Sequence, residues 1–431
     1  MVVGNARTHE VAQGSLLQRE QACSQTAFRR EPDAVRAALA RRGGDSAAGL
    51  ERVLELDERW RALTAELEQL RSEQNRASRG RRGAPSEEER RQLAELAARG
   101  RALSDEESRV RAERDAALAS LPNLPSPGAP DEDTVLREVG EAGKTGRDHL
   151  ELAGERIDIE SARRLSGSRF AFLRGDLVMV ELALVRYVLE KVSAQGFEPV
   201  IPPVLVRKAA LYGTGFLPDT EQQIYRLPDD DLYLIGTSEV ALASLHAEEI
   251  LAGDELPMRY AGFSPCFRRE AGAAGKDTRG ILRVHQFDKV EMFSFVAPDQ
   301  AEREHERLLW IEESILQELE IPYRVVAIAV NDLGASAAMK YDCEAWLPGQ
   351  GRYRELTSCS NTTDYQARRL EIRYRGADGK PALVNTLNGT AVAVGRTIIA
   401  LLENGQRDDG SVVLPPPLIA AGAPAVLPAA A

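Results

Sequence analysis

Charged and aromatic side chains are concentrated in residues 266–291, in an arrangement that suits nucleotide binding. Two β-favouring runs there flank a loop rich in glycine and charge, which predicts a long antiparallel hairpin. A guanidinium group matches phosphate oxygens bidentately, an aromatic ring offers a stacking face to a base, and a carboxylate accepts a hydrogen bond from an amino group. A solvated charged hairpin around a core phenylalanine is the alternative. The side chains at or near the predicted strand faces are Arg268, Glu270, Arg283, Phe287 and Glu291.

Two further segments could bind an ammonium group and a metal ion. Residues 236–239 read Gly-Thr-Ser-Glu, where a hydroxyl and a carboxylate could accept hydrogen bonds from a cationic amino group. A helix N-cap is the alternative there. Glu355 and Ser358 supply hard oxygen ligands of the kind that Mg²⁺ prefers, and a capped turn at a strand end is the alternative.

Arg396 stands at the start of a strongly apolar run that predicts a buried helix. An arginine in such a place is unfavourable unless it meets an anion. The anion could be a substrate phosphate or the carboxylate of an ordinary salt bridge.

The N-terminal third carries the clearest periodicity in the chain. A series from Val53 to Ala77, apolar except at Gln74, steps by alternating three and four, and a second series from Leu96 to Ala117 steps by sevens. Residues 83–85 interrupt the pattern, so two long helices are predicted to pair as an antiparallel hairpin. A solvated coiled coil and an arm that follows a phosphate backbone both fit such a basic-tipped hairpin. The arginines near its tip are Arg76, Arg79, Arg81, Arg82, Arg90, Arg91, Arg99 and Arg101.

Composition narrows the class of protein. The 431 residues, 43% hydrophobic and 28% charged, are typical of a globular protein with more than one domain. A net charge of -12 argues against a generic polyanion binder but permits a local basic surface. The four cysteines are far apart in sequence, so neither a zinc site nor a disulfide framework is expected. No run of 18 apolar residues and no N-terminal signal pattern occurs, so a cytoplasmic location and no membrane association are expected.

The hairpin in residues 266–291 resembles motif 2 of the class II aminoacyl-tRNA synthetases, specifically of the seryl-tRNA synthetase family. When the other matching segments are included, the resemblance covers roughly residues 28–420. The other matching segments are 196–203, similar to the motif 1 that builds the dimer interface; 236–239, similar to the serine-binding loop; 341–361; and 385–403, similar to the serine-pocket strand and motif 3.

The resemblance implies an α+β fold, with a class II antiparallel β-sheet flanked by helices and an N-terminal antiparallel two-helix coiled-coil arm. It also implies ATP-dependent ligation of L-serine to tRNA(Ser) through a seryl-adenylate, with serine charging of tRNA(Sec) as an additional reaction. ATP is then a substrate, Mg²⁺ a cofactor, and the enzyme a homodimer that grips its tRNA by the arm and the acceptor stem. The expected divisions are a flexible extension over 1–27, the tRNA-binding arm over 28–121, a proline-rich linker over 122–134, the catalytic domain over 135–420 and a tail over 421–431.

Site roles follow from the same resemblance. Arg268, Arg396 and Glu355 are expected to be catalytic, and Glu355 and Ser358 to hold Mg²⁺. The tRNA contacts at the arm tip are expected at Arg76, Arg79, Arg81 and Arg82. The expected ATP contacts are Arg268, Arg269, Glu270, Val284, Phe287, Glu355, Leu356, Thr357, Ser358 and Arg396. The expected serine contacts are Thr237, Ser238, Glu239, Arg268, Glu291, Asn388 and Thr390.

Four positions depart from the family pattern, namely Ser238, Asn331, Asn385 and Gly405. They raise the alternative of a paralogue that serves antibiotic resistance or a biosynthetic pathway. An amino acid:carrier-protein ligase and a non-enzymatic tRNA-binding relic also stay open at this point. The basic arm disfavours the ligase, and the retained ATP-contacting residue types disfavour the relic.

Overall fold

The computed structural model describes residues 28–44, 46–78, 86–218, 221–271 and 279–430. The predicted extension over 1–27 lies outside these ranges, as do Arg79, Arg81 and Arg82 of the predicted tRNA contacts. The chain divides into two compact units between Leu124 and Pro125, which is inside the predicted linker. Each unit is considered by itself.

The N-terminal unit contains the predicted helical arm. A short helix α1 (Pro32–Ala40) precedes two long ones, α2 (Ser46–Ser78) and α3 (Glu87–Ser120). The start of α3 is fixed by a capping box in which Ser86 and Glu89 exchange hydrogen bonds. The antiparallel coiled-coil prediction is confirmed, since α2 and α3 pack against each other along the apolar positions. The buried members of the predicted pattern are Val53, Leu56, Leu67, Leu70, Leu103 and Val110.

The C-terminal unit is built around one eight-stranded sheet. The strands are β1 (Thr134–Val139), β2 (Glu198–Val200), β3 (Met258–Phe267), β4 (Gln286–Val296), β5 (Tyr323–Ala327), β6 (Met339–Leu347), β7 (Arg352–Asn361) and β8 (Asn385–Ala393). Their order in the sheet is β1-β5-β6-β7-β8-β4-β3-β2, and every neighbouring pair is antiparallel except β2 with β3. This confirms the predicted α+β class.

Three helices pack on this sheet: α4 (Asp176–Ala194), α5 (Ala301–Glu318) and α6 (Val394–Asn404). Their apolar faces share one core with alternate residues of the strands. The helix predicted near 303–318 thus begins two residues earlier, and the apolar run after Arg396 is helical as expected.

Shorter elements complete the unit. The short helices are His149–Ala153, Ile159–Ser166, Lys208–Thr214, Glu239–Ala243, Tyr365–Arg369 and Pro416–Ala420. The strands of the small sheets are Ile157–Asp158 with Phe172–Leu173; Leu205–Arg207, Leu232–Leu234 and Arg226–Leu227; Ile250–Leu251, Arg373–Arg375 and Pro381–Leu383; and Val412–Val413 with Val426–Leu427.

Candidate active site

A cavity of about 370 Å³ lies over the central strands of the sheet, on the face opposite the packed core. The alternation of side chains along a strand decides which residues reach it. Along β4, Lys289 and Glu291 line the cavity, whereas Val290 and Met292 join the hydrophobic core. The predicted site residues that line it are Thr237, Glu239, Arg268, Glu270, Val284, Phe287, Glu291, Glu355, Leu356, Ser358, Asn388, Thr390 and Arg396.

The motif 2 hairpin supplies the first wall of this cavity. Cys266 of β3 pairs with Phe287 of β4, so the predicted antiparallel hairpin is present. Just beyond β3, Arg268 donates from Nε to the Gly236 carbonyl at 3.1 Å, and its guanidinium carbon lies 5.3 Å from the Phe287 ring centroid. This leaves an immobilised cation beside an aromatic face, which suits a phosphate joined to a base.

The loop side of the hairpin carries a second charged pair. Arg283 donates from Nη1 to Glu270 Oε2 at 2.9 Å. Because Arg283 holds the carboxylate, the orientation of Glu270 in the cavity wall is fixed before any ligand binds.

Arg396 enters the cavity from the start of α6. Its Nη1 donates to the Glu355 carbonyl at 2.9 Å and lies 3.5 Å from the Glu355 carboxylate, while Nε donates to the Leu282 carbonyl at 3.4 Å. Burial lowers the pKa of the Arg396 guanidinium, and the Glu355 charge opposes that shift. Arg396 therefore forms a salt bridge with Glu355, which was one of the two predicted roles for this arginine. Its side chain also lines the cavity, so it remains available to a substrate phosphate.

Glu355 is surrounded by cations. Burial by itself raises the pKa of this carboxyl, but the charges of Arg396, Lys340 and Arg268 outweigh burial and hold the pKa below its usual value. Glu355 is therefore ionised at neutral pH. Glu355 lies within β7, and the capped turn that was the alternative is found only at the end of that strand, where Asn361 Oδ1 accepts from the Thr363 N–H at 2.9 Å.

Two carboxylates define the other end of the cavity. Glu239 Oε1 accepts hydrogen bonds from Gln366 at 2.8 Å and from Asn388 at 3.0 Å. Burial, reinforced by the negative charge of Glu291, raises the pKa of Glu239 to about 7. Glu291 accepts from the Thr390 hydroxyl at 3.2 Å, across the β4–β8 pairing. This end can bind a small cation that also carries a hydroxyl group.

Lys289 was not predicted from the sequence. Its Nζ lies 2.5 Å from Glu291 Oε2, and both side chains are buried. One lysine therefore stands beside two buried carboxylates, and a cationic ligand would balance the remaining charge. The signal was available, since a residue two before Glu291 on a strand must share its face. Other lining residues that sequence reasoning missed are Phe216, Ser336, Lys340 and Ser360.

Three predicted contacts lie outside the cavity lining. The Ser238 hydroxyl is fully buried and donates to the Gly262 carbonyl at 3.1 Å, and Thr357 donates to Glu312 on α5 at 2.8 Å. Strand alternation explains Thr357, because Ser358 takes the cavity face. Arg269 is exposed, and its backbone N–H donates to the Gln223 carbonyl at 2.9 Å.

The departures from the family pattern also lie away from the cavity. Asn385 begins β8, Asn331 lies in a short 3₁₀ helix, and Gly405 follows α6. A Cβ at Gly405 would stand 2.3 Å from the Val413 carbonyl oxygen, so this backbone has no space for a larger side chain. None of the three changes a residue that lines the cavity.

Comparison with known proteins decides the family. Residues 25–125 match the seryl-tRNA synthetase N-terminal domain, and residues 223–405 match the tRNA synthetase class II core domain (G, H, P, S and T). The serine–tRNA ligase of Thermobifida fusca is 51% identical over 402 residues, covering 90% of this chain and 94% of that protein. The chain belongs to the seryl-tRNA synthetase family.

Solved structures of seryl-tRNA synthetases agree with the fold. The Pyrococcus horikoshii enzyme complexed with ATP gives a TM-score of 0.90 at 39% identity, covering 95% of this chain and all of that one. The cytoplasmic serine-tRNA ligase of Naegleria fowleri in complex with AMP gives 0.84 at 32% identity, covering 92% and 96%.

Three further observations concern metal binding, membranes and the arm tip. Among the described residues, no group of three or more His, Cys, Asp or Glu side chains is arranged to hold a metal ion, and no helix is long and apolar enough to cross a membrane. At the arm tip, Arg76 is exposed on the last turn of α2.

Proposed function

We propose that this chain is an enzyme that ligates L-serine to tRNA(Ser) at the expense of ATP. In the first step a serine carboxylate oxygen attacks the α-phosphorus of ATP, forming seryl-adenylate and releasing pyrophosphate. In the second step a hydroxyl of the terminal tRNA adenosine attacks the seryl carbonyl, and AMP leaves. The observation that carries the proposal is a single cavity with cations and an aromatic face at one end and two buried carboxylates at the other.

The nucleotide end suits ATP. Arg268 contacts the α-phosphate and the serine carboxylate, because its guanidinium can donate to both from one plane. Phe287 stacks on adenine, and Glu270 accepts from the adenine amino group. Arg396 contacts the γ-phosphate, where its positive charge stabilises the leaving pyrophosphate. The reaction is then driven by alignment and charge neutralisation rather than by a general base.

Magnesium fits this end as a cofactor. Glu355 is ionised and lines the cavity together with Ser358, because the strand pairing skips Leu356 and so shifts the alternation of side chains between them. Two protein oxygens are typical of Mg²⁺ sites that also use phosphates and water. These two residues would hold the ion, which would neutralise phosphate charge when bound.

The carboxylate end suits serine. Glu239 and the Thr237 hydroxyl accept from the substrate ammonium group, and Glu291 and Thr390 hydrogen-bond its side-chain hydroxyl. A site whose buried polar groups need that hydroxyl rejects alanine, since those groups would be left unpaired. Lys289 compensates one carboxylate charge, which leaves the other for the substrate cation.

The helical arm favours tRNA, rather than a carrier protein, as the acceptor of the seryl group. Its sequence matches the family's N-terminal domain, and exposed arginines lie on α2 and α3 near the tip. Contacts by Arg76, Arg79, Arg81 and Arg82 with the tRNA backbone would bind tRNA(Ser), and tRNA(Sec) if its shape is similar. Relatives about half identical over nine tenths of the chain are named serine–tRNA ligases, which gives no support to a carrier-protein ligase.

A homodimer is the expected assembly. Exposed apolar side chains lie on α4 and just after β2, in and next to the segment that resembles motif 1. Such a patch is typical of a subunit interface. Its members are Val178, Met179, Leu182 and Ile201.

Pyrophosphate exchange tests the first step. Purified protein with ATP, Mg²⁺ and labelled pyrophosphate should form labelled ATP only when serine is added. Exchange stimulated by another amino acid and not by serine would overturn the proposed substrate.

A further inference from the structure

The loop between β3 and β4 is held separately at its two ends. On the outgoing side, the Gln223 side chain makes two hydrogen bonds to the Ala271 backbone, at 3.0 Å to N and 2.6 Å to O. Residues 272–278 lie outside the described part of the chain. The returning side, residues 279–281, is held by a different part of the fold.

The returning side contacts the start of the short helix His149–Ala153. Asp148 caps this helix through Leu150 and Glu151, and its second oxygen pairs with Arg279 Nη2 at 2.6 Å. The Ile281 N–H donates to His149 Nε2 at 3.4 Å.

Gly280 makes this approach sterically possible. Its φ is +74°, and a Cβ placed there would stand 1.9 Å from His149 Nε2. The backbone therefore passes directly against Nε2 of the imidazole, and any side chain would push the two apart.

Glu403 determines which ring nitrogen of His149 carries the proton. Its Oε1 lies 3.2 Å from His149 Nδ1 and accepts from the His149 backbone N–H at 3.1 Å, while Oε2 accepts from the Gly349 N–H at 2.9 Å. A carboxylate can only accept, so Nδ1 carries the proton and Nε2 keeps the lone pair that faces Ile281. The side chains of His149 and Glu403 are 4% and 0% exposed, so both groups are shielded from bulk solvent.

Glu403 connects the His149–Ile281 contact to the nucleotide end of the cavity. Glu403 lies near the end of α6, the helix that begins with Val394 and carries Arg396 in its first turn. Residues 281–284, which follow the held glycine, all line the cavity. One helix therefore supports two parts of the nucleotide end: Arg396 directly, and the wall formed by 281–284 through Glu403 and His149.

We propose that His149 is a positioning residue for ATP, acting through the Nε2 bond that holds the returning side of the loop. The proposal rests on the proposed function of the cavity. Loss of this acceptor leaves the cavity wall free to shift, which weakens ATP binding and leaves the serine end, built on β4, β8 and the start of the helix Glu239–Ala243, unchanged.

Two amide substitutions of His149 distinguish the hydrogen bond at Nδ1 from the hydrogen bond at Nε2. The amide of Asn falls near the position of Nδ1, so His149→Asn can keep a donor to Glu403 but lacks the acceptor for Ile281. The amide of Gln reaches the position of Nε2, so His149→Gln can keep the acceptor. We expect His149→Asn to raise the KM for ATP about fivefold to tenfold, with kcat and the KM for serine within about twofold of wild type. His149→Gln should stay within about twofold of wild type for the KM for ATP.

Leu152→Ala is the matched control. Leu152 lies on the same short helix and is buried in the main core, whereas the polar contacts to the loop come from Asp148 and His149. The variant should lower the melting temperature at least as much as either histidine variant and leave the KM for ATP near the wild-type value. If Leu152→Ala raises the KM for ATP as much as His149→Asn does, the effect is general destabilisation and the proposal is wrong.

Gly280→Ala tests the contact from the other side. The added methyl group must displace the backbone from the ring, so the KM for ATP should rise about fivefold or more. Equal KM values for ATP in the two histidine variants, or an unchanged value in Gly280→Ala, would overturn the proposal. Wild-type protein that shows no serine-dependent exchange, yet binds ATP in a calorimetric titration that His149→Asn weakens, would instead contradict the proposed function alone.

Discussion

The raised pKa of Glu239 makes serine recognition depend on pH. The pKa is about 7 because the carboxyl is buried and lies near Glu291, and the substrate ammonium group needs the ionised form. An acid with this pKa is about 76% ionised at pH 7.5 and about 9% ionised at pH 6, and the apparent dissociation constant scales inversely with the competent fraction. We therefore expect the KM for serine to rise about eightfold as the pH falls from 7.5 to 6.

The direction of this effect follows from the charge. Lowering the pH protonates Glu239 and removes the acceptor for a cation, while the serine ammonium group stays protonated over this range. The KM for ATP should change much less, because Glu355 has a lowered pKa and stays ionised. Pyrophosphate exchange at several pH values, with each substrate varied in turn, measures both quantities.

The variant Glu239→Gln measures the contribution of the Glu239 carboxyl group to serine binding. It should raise the KM for serine at pH 7.5 by about tenfold to a hundredfold, through loss of a charge-assisted hydrogen bond worth about 1.5–3 kcal/mol. It should also abolish the pH dependence. A KM for serine in wild type that is flat between pH 6 and 7.5, or a slope that persists in Glu239→Gln, would refute the assignment of the ammonium contact.

The remaining predictions concern the phosphate contacts, the hydroxyl contact and the arm. Arg268→Ala and Arg396→Ala should each slow pyrophosphate exchange by about 100-fold or more without unfolding the protein, and near-normal exchange would contradict their roles. Glu291→Gln should narrow the preference for serine over alanine in exchange kinetics, and it should lower the free energy of unfolding because it removes the charge of the buried partner of Lys289; an unchanged preference would show that Glu291 does not contact the hydroxyl. Deleting residues 53–117 should spare exchange and remove tRNA charging, so efficient charging by the truncated protein would assign the arm another role.

The fold was largely predictable because its signals are local. Heptad spacing identified both arm helices, and an apolar run identified α6. The motif 2 hairpin followed from two β-favouring runs around a glycine-rich loop. In each case the residues that form the element are also neighbours in sequence.

Side-chain direction was harder to predict, because a motif names residues without saying which face each one takes. Thr357 and Ser358 are adjacent in β7, yet Ser358 lines the cavity and Thr357 bonds to α5. Ser238 is similarly turned to the Gly262 carbonyl. The strand period would have separated the first pair once the register of β7 was known.

Long-range contacts left no signal in the sequence. His149 and Glu403 are 254 positions apart, and nothing local to either residue indicates the other. Their pairing depends on where α6 ends relative to a short helix that periodicity does not reveal. Such contacts become visible only once the sheet and its helices are in place.

Charging of tRNA(Ser) by the intact protein tests the central claim most directly. Purified chain, ATP, Mg²⁺ and a tRNA(Ser) transcript should incorporate labelled serine into an acid-insoluble product, and release of pyrophosphate should precede it. Labelled alanine and threonine under the same conditions should give little product. Serine-dependent pyrophosphate exchange without any transfer to tRNA(Ser) would contradict the account, because it would leave adenylate formation in place and assign the seryl group to a different acceptor.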